Sequence, residues 1–228
     1  MKSMIMLAAV ILLIPVTVSA GEDGFIELLN GKNLDGWKVR GGTAEYKFED
    51  GEVVGTTVEG SKNTFLCTEK EYGDFDLRLE VKCDPELNSG VQIRSHVYKE
   101  DTPQMSNENR IREAGEVYGY QCEIDDQGSS SSGWFWDEAR RTKWLNEEST
   151  DPKAKEAFKQ GEWNHYRIVA VGNRVQSWVN GVKTAEFTDD LDKKGFIGLQ
   201  VHSIKKGTGP FSVRWKNVMI KELTEEKK

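Results

Sequence analysis

Three short segments alternate apolar residues with side chains able to bind hydroxyls or move protons: Val91-Gln92-Ile93-Arg94-Ser95-His96, Tyr120-Gln121-Cys122-Glu123-Ile124-Asp125 and Ile197-Gly198-Leu199-Gln200-Val201-His202. In a strand, successive side chains point to opposite faces. Val91, Ile93, Tyr120, Cys122, Ile124, Ile197, Leu199 and Val201 are therefore expected to share a core, and Gln92, Arg94, His96, Gln121, Glu123, Asp125, Gln200 and His202 the opposite face. Solvated sheet faces favour Lys, Glu and Thr, whereas this set holds Gln, Arg, His, Glu and Asp, the side chains suited to hydrogen-bond recognition and proton transfer. If the three strands lie in one sheet, that face is a site.

A second group follows in sequence. Residues 126–148 form a long stretch with a Ser-Gly tract and then Trp134, Trp136, Asp137, Glu138, Arg140, Arg141 and Trp144. A loop so long is functional or disordered, and one so aromatic is expected to be ordered and to wall the site. Trp134, Trp136, Arg140 and Arg141 are its candidate ligand contacts, because sugar rings stack on aromatics and guanidinium groups bind oxygens in pairs. Trp37, Trp163, Trp178 and Trp215 read instead as core anchors.

The elements that must position these residues are strands. Turn signals such as Asn30-Gly31, Asp50-Gly51, Asn180-Gly181 and Lys194-Gly195 recur between short runs rich in β-branched and aromatic residues, with almost no helical periodicity. This predicts an all-β sandwich or jelly roll. The one helix expected is Pro152 to Phe158, capped by Asp151, and Lys99 to Glu116 is expected to be a hairpin excursion. Residues 1–20 fit a secretory signal: Lys2, an apolar run from Met4 to Val18, and Val18-Ser19-Ala20 as a cleavage site. Residues 21–228 then form one domain, and no later apolar run is long enough to span a membrane. Cys67, Cys83 and Cys122 are too few for a disulfide framework and read as small buried hydrophobes. A net charge of −7, with no basic stripe, argues against a nucleic-acid partner.

Several segments, in order, resemble the 3-keto-disaccharide hydrolase domain family. They are the opening Phe25 to Trp37, the Asn88 to Arg94 strand, Gly119 to Asp125, Trp136-Asp137-Glu138-Ala139-Arg140-Arg141, Glu162 to Ile168, Asn180-Gly181-Val182, and Gly198 to His202. The resemblance implies a concanavalin-like jelly-roll sandwich of two antiparallel sheets, export to a periplasm, and cleavage of 3-keto-glycosides made by a partner oxidoreductase. A ketone at C3 acidifies the C2 proton, so a base can form an enolate, the C1 group can leave by β-elimination, and water can add to the 2-hydroxy-glucal. Such a reading gives His202 or Glu123 as base and acid, Arg94 as the enolate-oxygen donor, and Gln92, His96, Gln121, Asp125 and Gln200 as binding residues. Glu123, Asp125 and His202 are also candidate ligands for a divalent metal ion, the one cofactor the residue types suggest.

Two other functions fit parts of the pattern. A retaining endo-β-glucanase shares the jelly roll and a Glu-x-Asp-x-x-Glu strand, but after Glu123 and Asp125 the third carboxylate would fall on Gly128, or on Gln127 in the unbulged form. A non-catalytic carbohydrate-binding module needs only a sheet with stacking tryptophans.

Overall fold

A computed structural model describes residues 23–125 and 130–223, so the signal segment and residues 126–129 lie outside the described chain. In chain order its strands are β1 (Ile26–Glu27), β2 (Trp37–Gly41), β3 (Glu45–Glu49), β4 (Glu52–Thr56), β5 (Thr64–Thr68), β6 (Phe75–Cys83), β7 (Asn88–Val97), β8 (Thr102–Gln104), β9 (Asn107–Arg112), β10 (Val117–Asp125), β11 (Phe135–Glu138), β12 (Asn164–Val171), β13 (Arg174–Val179), β14 (Val182–Thr188), β15 (Phe196–Val201) and β16 (Ser212–Glu222). Fourteen of them form two antiparallel sheets, one ordered β14-β13-β12-β6-β16-β4-β3 with β1 on β16, the other β11-β10-β7-β15-β5-β2, and β8 and β9 pair separately as a two-stranded ribbon. The jelly-roll sandwich expected from the sequence is thus the fold found. No helix among the described residues is long and apolar enough to cross a membrane.

Local chemistry sets the turns. Asp50-Gly51 between β3 and β4 and Asn180-Gly181 between β13 and β14 all have positive φ, the primed-turn geometry whose twist matches the flanking strands. The helix α1 starts where expected, at Pro152, with the Asp151 carboxylate accepting from the Lys153 amide, but it ends at Lys155 rather than Phe158. The β8–β9 hairpin is the excursion foreseen after Lys99.

The core lies between the sheets. Val91, Ile93, Tyr120, Cys122, Ile124, Ile197, Leu199 and Val201 face inward against Phe75, Leu77, Val81, Tyr166 and Ile168, all essentially without solvent exposure. Trp37 and Trp215 belong to this core. Trp163 and Trp178 do not: they are half-buried on the outside of the larger sheet, where Lys216 lies over the first ring and Arg167 over the second. All three cysteines are buried, as expected.

The outer face of the six-stranded sheet is curled. β11 and β5 are four interstrand steps apart, roughly 19 Å if flat, yet the Asn63 amide, just before β5, is 3.2 Å from the Glu138 carboxylate of β11. Only a strongly bent sheet brings these side chains together, and the bend makes this face a groove.

Candidate functional site

Cross-strand register builds the site in rows. Glu123 of β10 is opposite Gly90 of β7, Gly90 opposite Gln200 of β15, Gln200 opposite Phe65 of β5, and Phe65 opposite Arg40 of β2. In the next row Trp136, Gln121, Gln92, Gly198, Cys67 and Lys38 lie side by side. Both rows point into the groove because each residue has the parity opposite to the core set. The two glycines make room for the amides: a Cβ on Gly90 would stand 2.6 Å from the Gln121 side chain, and one on Gly198 3.2 Å from Gln92 Cβ.

Four side chains join in a hydrogen-bond chain with one direction. Ser95 Oγ donates to Gln92 Oε1 (2.6 Å), Gln92 Nε2 to Gln121 Oε1 (2.8 Å), and Gln121 Nε2 to Glu123 Oε2 (3.0 Å). Gln200 Nε2 donates to the same Gln121 oxygen at 2.9 Å, and Asn88 Nδ2 donates to the second Glu123 oxygen. Glu123 accepts on both oxygens, which fixes the orientation of every amide behind it. It is nearly inaccessible, and burial pushes its carboxyl up from 4.5 to about 7, against the pull of the Asn88 and Gln121 hydrogen bonds, with Glu138 and Asp125 adding repulsion. A carboxyl poised there can take or give a proton at neutral pH.

Two openings flank it. A cleft of about 880 Å³ runs under the β8–β9 hairpin and is lined by Arg40, Asn63, Phe65, Arg112, Trp136 and Glu138, among others. A second, of about 680 Å³, is bounded by Leu87, Asn88, His202, Ile204 and Phe211, and the two share Ser203. His202 Nδ1 lies 2.7 Å from the Ser203 carbonyl. A carbonyl only accepts, so Nδ1 carries the hydrogen and Nε2 is left for chemistry. Burial raises the Glu138 carboxyl, while the Asn63 amide and the charges of His202 and Arg112 pull it back. The groove thus holds two carboxyls and an imidazole, interacting electrostatically through Glu138.

Of the residues expected from the sequence, Gln92, Gln121, Glu123 and Gln200 are joined by hydrogen bonds on one face of the sheet, His202 lines the smaller opening and Trp136 the larger. Asn88, Asn63 and Glu138 were not expected. Asn88 sits at the very start of its strand, and Glu138 lay in a stretch read as a loop; the alternation Phe135-Trp136-Asp137-Glu138 was the available signal.

Arg94 and His96 are corrections. Opposite Gly119, whose φ is +130°, β7 carries two residues, Arg94 and Ser95, and Arg94 has a φ of +46°. This bulge ends the alternation after Ile93. The fully buried Arg94 guanidinium donates to the carbonyls of Gly73 (2.8 Å) and Gly172 (2.7 Å) and to Asp74 Oδ1 (2.8 Å), so it clamps loops at one end of the sandwich and has no place beside an enolate oxygen. His96 pairs with Asp192 at 3.2 Å beside the Tyr118 ring.

The arginine pair is corrected in the same way. Arg140 donates to Asp137 and, at 2.7 Å, to Asp192; Arg141 donates to Asp137 and, at 2.6 Å, to Asp189. Both anchor the β11 stretch rather than border the groove, and Asp137, wholly buried, is the knot between them. Trp134 packs on the core and meets Trp144 edge-on. Asp125 accepts from Ser131 Oγ at 3.0 Å. Among the described residues no group of three or more His, Cys, Asp or Glu side chains is placed to hold a metal ion. Asp125 is opposite Asn88, and His202 lies beyond β15 on the far side of β7, so the Glu123, Asp125 and His202 set is not assembled as metal ligands.

A family profile described as the 3-keto-alpha-glucoside-1,2-lyase-like domain matches residues 24–221. The chain belongs to this family. The 3-keto-alpha-glucoside-1,2-lyase-like assignment places it among proteins with a carbohydrate-related function. No curated relative matches the chain. Among solved structures it is similar to a Bacillus subtilis protein of unknown function with a galectin-like fold (TM-score 0.60, 10% identity, covering 83% of this chain and 90% of that one). It is also similar to a provisionally assigned glycosyl hydrolase of Parabacteroides distasonis (0.55, 21%, 89% and 95%) and to the Bacillus subtilis carbohydrate-binding module CBM66 (0.54, 14%, 82% and 96%). At these identities the likeness is one of fold.

Proposed function

We propose that this domain cleaves 3-keto-glycosides by removing the C2 proton and expelling the C1 substituent. The observation that supports it most is Glu123: a buried carboxylate at about 7, held by amides that only donate to it, on the floor of a groove. In this reading Glu123 takes the C2 proton, and the C–H electrons pass into the enolate at C3. The second amide hydrogen of Asn88 faces that oxygen in place of Arg94. As the ketone re-forms, the C1=C2 bond is made and the C1–O bond breaks, and the departing oxygen takes a proton from His202 Nε2. Water adds across the new double bond to complete hydrolysis. Gln92, Gln121 and Gln200 hold Glu123 in place, and Trp136 walls the sugar.

The reading carries with it a partner oxidoreductase that installs the ketone and a periplasmic location. A non-catalytic carbohydrate-binding role is favoured by the likeness to the binding module, but it gives no account of a buried carboxyl raised to about 7. The test is incubation with 3-keto-glucosides and their unoxidised parents in deuterated water. Release of the aglycone from the 3-keto compounds alone, with deuterium entering at C2, is expected. Binding without turnover of either would establish the binding module instead, and equal turnover of the unoxidised parents would point to a two-carboxylate glycosidase.

A further inference from the structure

The larger cleft has an unusual charge balance. In a chain of net charge −7 it is lined by five cations, Lys38, Arg40, Lys62, Arg110 and Arg112, against three carboxylates, Glu113, Glu116 and Glu138. The carboxylates are accounted for. Glu113 lies 2.8 Å from Lys62, Glu116 lies 3.5 Å from Arg112 and 3.7 Å from Lys62, and Glu138 is held by Asn63 and interacts with Arg112 and His202. Lys38, Arg40 and Arg110 form no ion pair with any described residue.

Arg40 is the most telling. Its Cζ lies 5.7 Å from the centre of the Phe196 ring, and its Nε is buried with no hydrogen-bond partner among the described residues. Its row neighbour is Phe65, itself buried, so the guanidinium rests on an apolar floor that holds it without using its donors. That Nε is sealed from solvent, so the terminal Nη groups, which no described residue engages, are the donors Arg40 offers to the cleft. Lys38 points into the groove from the same edge strand, two residues away.

From this we infer that the edge of the groove formed by Arg40 and Lys38 is a subsite for an anionic oxygen group, a carboxylate or a sulfate, on the part of the ligand distant from the reacting sugar. Arg40 shares the row of Glu123, four interstrand steps away, roughly 19 Å along the curled sheet and less across it. That separation suits an acidic group on the second sugar of a disaccharide. Arg40 presents two parallel N–H donors of the kind that bind carboxylate or sulfate oxygens in pairs. The inference deepens the proposed reaction and rests on it only for the identity of the sugar at the other end.

Calorimetric titration of the full chain with unoxidised glucosyl-glucuronate, its methyl ester and a sulfated glucosyl-glucose tests the subsite without any turnover. The glucuronate or the sulfate is expected to bind at least about tenfold more tightly than the neutral ester at low salt, with the gap closing as salt is added. Arg40→Gln is expected to abolish the preference and Arg40→Lys to keep part of it. Equal affinity for all three ligands, or a preference that survives in Arg40→Gln, overturns the inference. Measuring kcat/KM on the 3-keto forms of the ester and the acid separates the two levels: if neither is turned over while calorimetry still shows the preference, the proposed reaction fails and the subsite stands. If both are turned over and bound equally, the reverse holds.

Discussion

If Glu123 is the base of the proposed reaction, the stability and the activity of this domain are expected to depend on pH in opposite directions below pH 7. Its carboxyl is lifted from 4.5 to about 7 mainly by burial. Below pH 4.5 the group is protonated in the folded and unfolded chain alike, and it contributes no difference. Between 4.5 and about 7 the unfolded chain gives up this proton while the folded one keeps it, so folding becomes less favourable as pH rises, and above about 7 the loss is complete and constant. At 1.36 kcal/mol per pKa unit, the span from 4.5 to about 7 amounts to about 3 kcal/mol. Glu123→Gln removes the titration; the Asn88 amide can turn to present its oxygen to the new amide. Urea denaturation of both proteins from pH 4 to 8.5 is the assay, and the stability of the wild type minus that of Glu123→Gln is the quantity to follow, since other titrating groups cancel in it. That difference is expected to fall by about 3 kcal/mol between pH 4.5 and 7.5 and then level off. Over the same range kcat/KM on a 3-keto-glycoside is expected to rise, about tenfold per pH unit below 7, because only the ionised base reacts. A flat or rising stability difference refutes the burial argument, and a kcat/KM that does not rise with pH below 7 refutes the assignment of Glu123 as base, whereas a fall at higher pH reports loss of the proton from His202.

His202→Ala should lower kcat by about two orders of magnitude or more with urea stability little changed, which steady-state kinetics and a denaturation curve check together. Gly90→Ala should push the Gln121 side chain off Glu123, since the added carbon would lie 2.6 Å from it, and should reduce kcat/KM at least about tenfold while the circular dichroism spectrum stays that of a β protein. Arg94→Met should destabilise the fold by about 3–5 kcal/mol, because Asp74 and two loop carbonyls lose a buried donor, with turnover per folded molecule preserved; a two-order loss of kcat at unchanged stability would return Arg94 to the reacting centre. Arg140→Lys keeps the charge but loses the fork that joins Asp137 to Asp192, and thermal denaturation should show a lowered midpoint.

The sandwich was legible because its core strands alternate cleanly, and the alternation also placed Gln92, Gln121, Glu123 and Gln200 on one face. What was not legible traces to single backbone events. The bulge opposite Gly119 turns Arg94 and His96 away from the face that strict period-two counting assigns them. Arg140 and Arg141 have the chemistry of oxyanion ligands, and nothing near them in sequence reveals that Asp189 and Asp192, about fifty positions later, will occupy them. Glu138 escaped notice because the Ser-Gly tract before β11 marks a loop, while the short strand after it carries only four residues. The curl that brings Glu138 to Asn63 is a property of the whole sheet, which no local pattern encodes.

β11 is the last strand of its sheet, and its free edge would be open to pairing with another chain were it not for residues 142–145. Thr142 donates its amide to the Asp137 carbonyl, Asp137 to that of Lys143 and Leu145 to that of Phe135, and Trp136 bridges Trp144 across the same edge. The segment that supplies Trp136 and Glu138 to the groove is therefore also the sheet's guard against edge-to-edge association. Damage to it, for instance at Asp137, would expose a strand edge at the moment it dismantles the site, so inactive variants of this region should be recovered as aggregates rather than as folded, silent protein.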